Sequence, residues 1–234
     1  MYEFTARIRY SEAGPDGRLT LAGVVSYFQD CSFFESLSIG RDPASRGDNR
    51  YAWMLVTWRI VVKEYPKFGQ EVKVSTIPVR FHAFEADRNF VMRDSDGRVL
   101  AYADSRWVYF DTENRAPARI SEEEKAAYEL GDRFMEEKFP RHVRPPKAEP
   151  VRRRPIKIRK TSIDINQHVN NEQYILFAAG YLPADARVKA LYVDYQKQAM
   201  LGDTLQPLVY REENNLTVVL EKEGTPCATV LFVL

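Results

Sequence analysis

The 234-residue chain has two cysteines, three histidines and a formal net charge of only +1. Each scarcity closes off a class of function. Cys31 and Cys227 are too few and too far apart for a disulfide framework or a zinc site, and each lies in an apolar pattern that suits a buried small side chain rather than a reactive thiol. His82, within Val79-Arg80-Phe81-His82-Ala83-Phe84, and His142, in a proline-rich stretch, have no nearby ligand set, so no metal is expected. The near-neutral charge gives no overall bias toward nucleic acid or membrane. No stretch approaches 18 consecutive apolar residues, so no helical membrane span is expected. The opening MYEFTARIRYSE lacks a basic segment followed by an apolar run, which argues against a secretory signal and for a cytoplasmic location. No cofactor motif is found, and none is expected to bind.

What is present suits a soluble globular protein. With 44% hydrophobic and 29% charged residues there is ample material for a core, in one large domain or two small ones. Residues 2–10 alternate like a half-buried strand, and Gly14-Pro15-Asp16-Gly17 marks a turn. From 21 to 37 the pattern is helical, with Leu21, Val24, Val25, Phe28 and Cys31 or Ser32 on one face and Gly40 as a stop. After a polar loop at 41–50, strands are predicted over 52–64, 71–80, 88–93 and 98–111, the last two joined through a turn at Asp94-Ser95-Asp96-Gly97. Long strands with short turns argue for an antiparallel sheet. Ser121-Glu122-Glu123-Glu124 reads as a capping box, opening a charged helix to about Lys138, and five prolines between 140 and 155 read as an extended linker. Then the first pattern returns: a strand over 154–161, a turn, an apolar-faced helix over 170–180, and strands over 187–198, 204–211, 216–223 and 225–234.

The halves can be superposed in sequence. Ile8-Arg9 falls on Ile158-Arg159, Asp16-Gly17-Arg18 on Asn166-Gln167-His168, and Val24-Val25 on Tyr174-Ile175. With another offset, residues 60–72 fall on 193–205, so that Gly69 meets Gly202; with a third, residues 97–101 fall on 224–228. Each half therefore reads as strand, turn, buried helix and four strands. A single helix wrapped by an antiparallel sheet is the hot-dog plan. The expected fold is α+β, two tandem hot-dog domains over 1–115 and 151–234, joined by a linker with a charged helix over 116–150.

The halves differ at the turn before the helix. The first reads Gly-Pro-Asp-Gly-Arg-Leu; the second, from Asp164, reads D-I-N-Q-H-V-N-N. A carboxylate, a carboxamide and an imidazole at alternate positions of an extended loop would share one side. A carboxylate or imidazole there could activate water, and the amides from Val169 through Asn170 to Asn171, at a helix start, could serve as oxyanion donors. The same residues also suit plain helix capping and a solvated loop histidine, and spacing alone favours that plainer reading.

The string D-I-N-Q-H-V-N-N-E-Q-Y-I closely resembles the signature of the acyl-acyl-carrier-protein thioesterases of plants and bacteria, and so do YPKFGQEVKVST and VMRDSDGRVLAYADSRWVYFD in the first half. The likeness spans nearly the whole chain. It implies release of free fatty acid from acyl carrier protein, ending chain elongation, with the family's catalytic Asp, Asn and His falling on Asp164, Asn166 and His168. Plant members carry a Glu followed by Cys in a Y-R-R-E-C run; the matching positions here are Gln198 and Ala199. A cysteine nucleophile is thereby excluded at that position, and Gln198 can only orient water or His168 by hydrogen bonding. Asp164 is then expected as base or nucleophile, Asn166 as its positioner and His168 as the group that polarises the carbonyl or protonates the leaving thiolate.

Trp53, Trp58 and Trp107 suit sheet packing or, in the alternative, a first half that forms the acyl pocket, lined by the helix near Val24, Phe28 and Cys31; the resemblance implies that chain-length control lies in that half. Between 141 and 160 nine Lys or Arg face a single acid, Glu149. They suit either a solvated linker and edge strand or a dock for acidic acyl carrier protein centred on Arg152, Arg153 and Arg154. The competing functions are an acyl-CoA thioesterase and a non-catalytic acyl-binding protein; monomer and homodimer are both compatible with the sequence.

Overall fold

The computed structural model describes residues 1–42, 50–165 and 167–234. The chain forms two compact units: one of Met1–Val56 and Ile60–Lys138, the other of Thr57–Arg59 and Phe139–Leu234.

The first unit opens with β1 (Tyr2–Arg7), whose residues alternate between half-buried and exposed. A short 3-10 turn at Tyr10–Glu12 leads to the helix α1 (Leu21–Ser38), with the Thr20 side chain accepting the Gly23 N–H as its N-cap. Val24, Val25, Phe28 and Cys31 are fully buried on the predicted face. Gly40 ends the helix in the left-handed conformation, at φ 75°. Four long strands follow: β2 (Tyr51–Val62), β3 (Glu71–Phe81), β4 (Glu85–Asp94) and β5 (Val99–Asp111). A two-residue strand, β6 (Ala116–Pro117), adds to β5. The order is β1-β3-β4-β5-β2, with β1 through β5 paired antiparallel along β1-β3-β4-β5. Helix α1 lies against β1 and β3.

The charged helix is much shorter than predicted. It is α2 (Glu122–Ala127), capped by the Ser121 side chain on the Glu124 N–H. It stops because Tyr128 turns extended and buries its ring, 6.3 Å from that of Phe81 and with the Arg88 guanidinium 5.6 Å from its centroid. Tertiary burial here overrides a helix-favouring sequence. The Glu124 carboxylate accepts the Trp53 indole N–H at 2.8 Å, fixing the helix to β2.

In the second unit the predicted strand over 154–161 is replaced by two fragments, β7 (Val151–Arg152) and β8 (Ile156–Lys157), paired with Leu208 and Val209 and with Thr204 and Leu205 respectively. Pro155 between them has no N–H to give a ladder. A 3-10 turn at Lys160–Ser162 leads to α3 (Asn171–Ala179), half the length of α1, and then β9 (Ala190–Tyr195), β10 (Thr204–Arg211), β11 (Asn215–Lys222) and β12 (Thr225–Val233). The order β9-β12-β11-β10-β7, with β8 also on β10, is that of the first unit. The sequence repeat is thus a repeat of topology, and each unit is a helix on an antiparallel sheet, the hot-dog plan. The buried Arg59 guanidinium ties the start of this unit to β9. It donates to the carbonyls of Pro140, Arg141 and Val193 and to Asp194, whose other oxygen accepts the Val143 N–H. With every partner satisfied, the buried charge pair is tolerated. Among the described residues no helix is long and apolar enough to cross a membrane.

Candidate active site

Both units build the turn ahead of the helix through four matching backbone bonds, and the first adds a fifth, from Phe68 N–H to Gly17 O at 2.8 Å. In the first, Gly14 N–H donates to Arg18 O (2.7 Å), Gly17 N–H to Gly14 O (2.9 Å), Leu19 N–H to Pro66 O (2.8 Å) and Thr20 N–H to Glu12 O (3.0 Å). In the second, Asp164 N–H donates to His168 O (2.9 Å), Gln167 N–H to Asp164 O (3.1 Å), Val169 N–H to Ala199 O (3.0 Å) and Asn170 N–H to Ser162 O (3.0 Å). The left-handed residue of each turn is Gly17, at φ 71°, or Gln167, at φ 65°. An isolated bridge closes each neck, Ala13 with Leu19 and Ile163 with Val169.

This geometry corrects two expectations. The 164–168 segment is a closed turn, so alternation along an extended loop is not what gathers the polar residues. Closure does it instead: the backbones of Asp164 and His168 pair across the neck, and the Asp164 carboxylate also accepts the His168 N–H at 3.4 Å. Nor are the amides of Val169 and Asn170 available as oxyanion donors, because both are spent on backbone carbonyls. Buried backbone donors are nearly always paired, and a turn this tight pairs them internally. Asn170 is the N-cap of α3, its side chain accepting the Glu172 N–H at 2.9 Å. This is the capping role that the plainer reading foresaw, and it coexists with a site beside it. Asn166 lies outside the described residues, as does most of the polar loop at 41–50.

Asp164 and His168 are each half-buried. The bond from Val169 to Ala199 draws the segment between β9 and β10 alongside the turn, so that Gln198 and His168 each neighbour one end of that bond in the chain. Gln198 is exposed and Ala199 fully buried. The turn therefore carries a carboxylate and an imidazole at the two ends of its neck, with a carboxamide on the adjoining segment, which are the kinds of group that general acid-base chemistry uses.

Two contributors escaped the sequence reading. The buried hydroxyl of Tyr174, on α3, accepts the Ala199 N–H at 2.9 Å. The Tyr195 hydroxyl, at the end of β9, donates to Asn171 O at 3.0 Å, and the two rings meet edge to face with centroids 5.9 Å apart. Burial pushes both phenols above their ordinary range, so they stay protonated. The signal for Tyr174 was in the repeat, which sets it against Val24.

In the first unit, Phe28 packs on Phe90 with ring centroids 5.4 Å apart, and the Cys31 thiol donates to Val74 O at 3.5 Å. Burial raises the Cys31 pKa well above the ordinary thiol range, which leaves it an inert thiol. Cys227 is also buried. Glu35 on α1 forms a buried ion pair with Arg88, which also bonds Thr76. His82 is exposed, and His142 Nδ1 is 3.5 Å from the Asp194 carboxylate; among the described residues no three His, Cys, Asp or Glu gather as a metal site. Arg152, Arg153 and Arg154 are all exposed, on and just after the edge strand β7.

The acyl-ACP thioesterase N-terminal domain matches residues 1–128 and the C-terminal domain of the same family residues 146–226. The oleoyl-acyl carrier protein thioesterase 2, chloroplastic, of Arabidopsis thaliana is 23% identical over 242 residues, covering 95% of this chain; the chain spans 66% of that relative's length. An acyl-ACP thioesterase from Bacteroides thetaiotaomicron superposes with a TM-score of 0.88 at 23% identity, covering 99% of this chain and 96% of the other. The 12:0-ACP thioesterase from Umbellularia californica superposes with a TM-score of 0.84 at 19% identity, with the same coverage of both chains. The profiles of both halves, in their order, and the shared fold show that the chain belongs to the acyl-ACP thioesterase family.

Proposed function

We propose that this protein hydrolyses the thioester between a fatty acyl chain and acyl carrier protein, releasing the free fatty acid and so terminating elongation. The observation that carries this reading is the closed turn that holds Asp164 against His168 beside the segment bearing Gln198. The Asp164 carboxylate takes a proton from water, whose oxygen attacks the acyl carbonyl. The tetrahedral intermediate collapses with cleavage of the C–S bond, His168 gives a proton to the departing phosphopantetheine thiolate, and the proton taken up by Asp164 passes through solvent to His168, so that both groups regain their starting states. Asn166 and Gln198 orient the water and the imidazole. With alanine at 199, no thiol from that position enters the reaction.

The acyl chain is assigned to the first unit, along α1 at Val24, Phe28 and Cys31. Its preferred length is a property of that unit's packing and does not transfer from relatives, since one is named for oleoyl and another for 12:0 chains. Arg152, Arg153 and Arg154 are assigned to the acidic carrier protein. The protein is taken to act in the cytoplasm, as a monomer or a homodimer, without a cofactor.

The test is hydrolysis of a panel of acyl-carrier-protein thioesters beside the matching acyl-CoAs, with wild type and Asp164→Asn. Fatty acid release from the carrier protein, lost in the variant, supports the reading. Preference for acyl-CoA would replace the carrier, and no turnover by folded protein on any thioester would leave an acyl-binding protein instead.

A further inference from the structure

The two turns share the four backbone bonds named above, and among the differences in their surroundings is one linked pair of positions. The turn is tied to the loop ahead of the following strand through Leu19 N–H to Pro66 O in the first unit and Val169 N–H to Ala199 O in the second. The superposed sequences set Pro66 against Ala199 and Val24 against Tyr174. In the first unit the loop residue has no N–H, and the helix residue that the repeat sets against Tyr174, the fully buried Val24, has no polar side-chain atom. Nothing there needs a partner. In the second unit Ala199 brings a buried N–H, and Tyr174 brings the hydroxyl that receives it at 2.9 Å.

Proline at 199 would dispense with the donor, as it does at 66. The second unit instead carries a matched donor and acceptor, which forms a continuous run of bonds from α3 through the Ala199 peptide to Val169. That run passes one residue from Gln198 and one residue from His168. Tyr195 braces it, with its ring against Tyr174 and its hydroxyl on the first turn of α3. The Ala199 N–H belongs to the peptide shared with Gln198 and its C=O to the peptide shared with Met200, so residue 199 is held on both sides of its Cα and has little freedom to rotate, which gives the Gln198 and His168 side chains on either side of the run a fixed origin.

We propose that Tyr174 is a positioning residue of the thioesterase site: its hydroxyl fixes the Ala199 peptide and through it sets His168 and Gln198 relative to each other. The inference rests on the proposed function. Tyr174 does not touch the reacting atoms; it acts through the Ala199 peptide.

The experiment is Tyr174→Phe, which keeps the ring and removes the bond, together with Tyr174→Phe/Ala199→Pro, which rebuilds the proline arrangement of the first unit. On acyl-carrier-protein substrate, measured well below the melting temperature, Tyr174→Phe is expected to lower kcat about tenfold with KM within about twofold, a misplacement effect. It should also speed amide exchange at Ala199 and Val169. The double variant is expected to regain melting temperature, since no buried N–H is left unpaired, while kcat stays low. Recovery of kcat in step with the melting temperature would show that the hydroxyl only satisfies a donor, and would overturn the proposal. So would a folded Tyr174→Phe with wild-type kcat, which decides the matter even if the proline variant does not fold. Should wild type turn over no thioester, the proposed function fails by itself, and amide exchange alone decides whether Tyr174 holds the peptide: unchanged exchange in Tyr174→Phe overturns it.

Discussion

The turns at Gly14–Arg18 and Asp164–His168 share one backbone and almost no chemistry. The first presents glycine, proline, aspartate, glycine and arginine; its Arg18 guanidinium turns back to Tyr65 O at 2.6 Å. The second presents aspartate and histidine from the same two ends of the same neck, with a tyrosine-held peptide beside it. Duplicated backbone geometry is therefore scaffold, and the reaction is a matter of which side chains the scaffold carries. The sheet edges make the same point. In β1, Glu3 pairs with Lys73 and Arg7 lies 3.9 Å from Glu71, a mixed and paired surface. The opposite unit's edge at β7 presents Arg152, Arg153 and Arg154, all exposed.

The largest effect should come from making the second turn chemically blank like the first. Asp164→Asn keeps the size of the side chain and the hydrogen bond to the His168 N–H but removes the proposed base. It should lower kcat by about 100-fold or more while the melting temperature changes little. Undiminished turnover would remove Asp164 from the chemistry and erase the distinction between the turns.

Charge reversal of Arg152, Arg153 and Arg154 to glutamate should make the two edges electrostatically unlike in the opposite sense. KM for acyl-carrier-protein substrate is expected to rise about tenfold at low salt, with the gap to wild type closing as salt screens it. Hydrolysis of a small thioester with no carrier should be unaffected. A KM indifferent to both reversal and salt would return these arginines to a solvated edge.

The caps allow a finer comparison. Thr20→Ala and Asn170→Ala each remove a side chain that holds a first-turn N–H, and each should cost about 1 kcal/mol in chemical denaturation. Only Asn170→Ala should also lower kcat, since Asn170 adjoins the turn proposed to carry the chemistry. Equal kinetic effects from both would mean that the turns are not functionally distinct.

The smallest effect concerns the left-handed residue. A Cβ on Gly17 would meet no atom within 4 Å, so Gly17→Gln tests backbone conformation alone. It should destabilise, and Gln167→Gly should stabilise by about 0.5 kcal/mol, the strain relieved less the extra chain entropy of glycine. Thermal melts of both single variants check the opposite signs.

Much of this was legible in the sequence, and the failures have physical causes. Period-two and helical patterns located every long strand and both buried helices, because burial of one face writes itself into the chain at fixed spacing. The repeat was visible because glycines are needed at the same left-handed corners, as at Gly69 and Gly202, with φ of 78° and 86°. The charged helix was overextended because nothing local announces that Tyr128 will leave it for the core. The strand at 154–161 was overextended because the weight of one proline depends on which neighbour the strand must pair with. The oxyanion assignment to Val169 and Asn170 failed because a backbone N–H has no sequence signature, and its partners, Ala199 O and Ser162 O, lie 30 residues downstream and 8 upstream.

By itself, then, the sequence determined the tandem α+β plan, the location of the polar motif in the second half and the presence of neither a thiol nor a carboxylate at Ala199 and Gln198. These follow from side-chain identity and periodicity, which are local properties. Only the tertiary structure decided that Asp164 meets His168 by closure of a turn, that the Val169 and Asn170 amides are spent on it, and that Tyr174 reaches the Ala199 peptide 25 residues along the chain. Those are pairings between groups distant in sequence, and a hydrogen bond is satisfied by whichever partner the fold brings within 3 Å or so, a choice that no local pattern records.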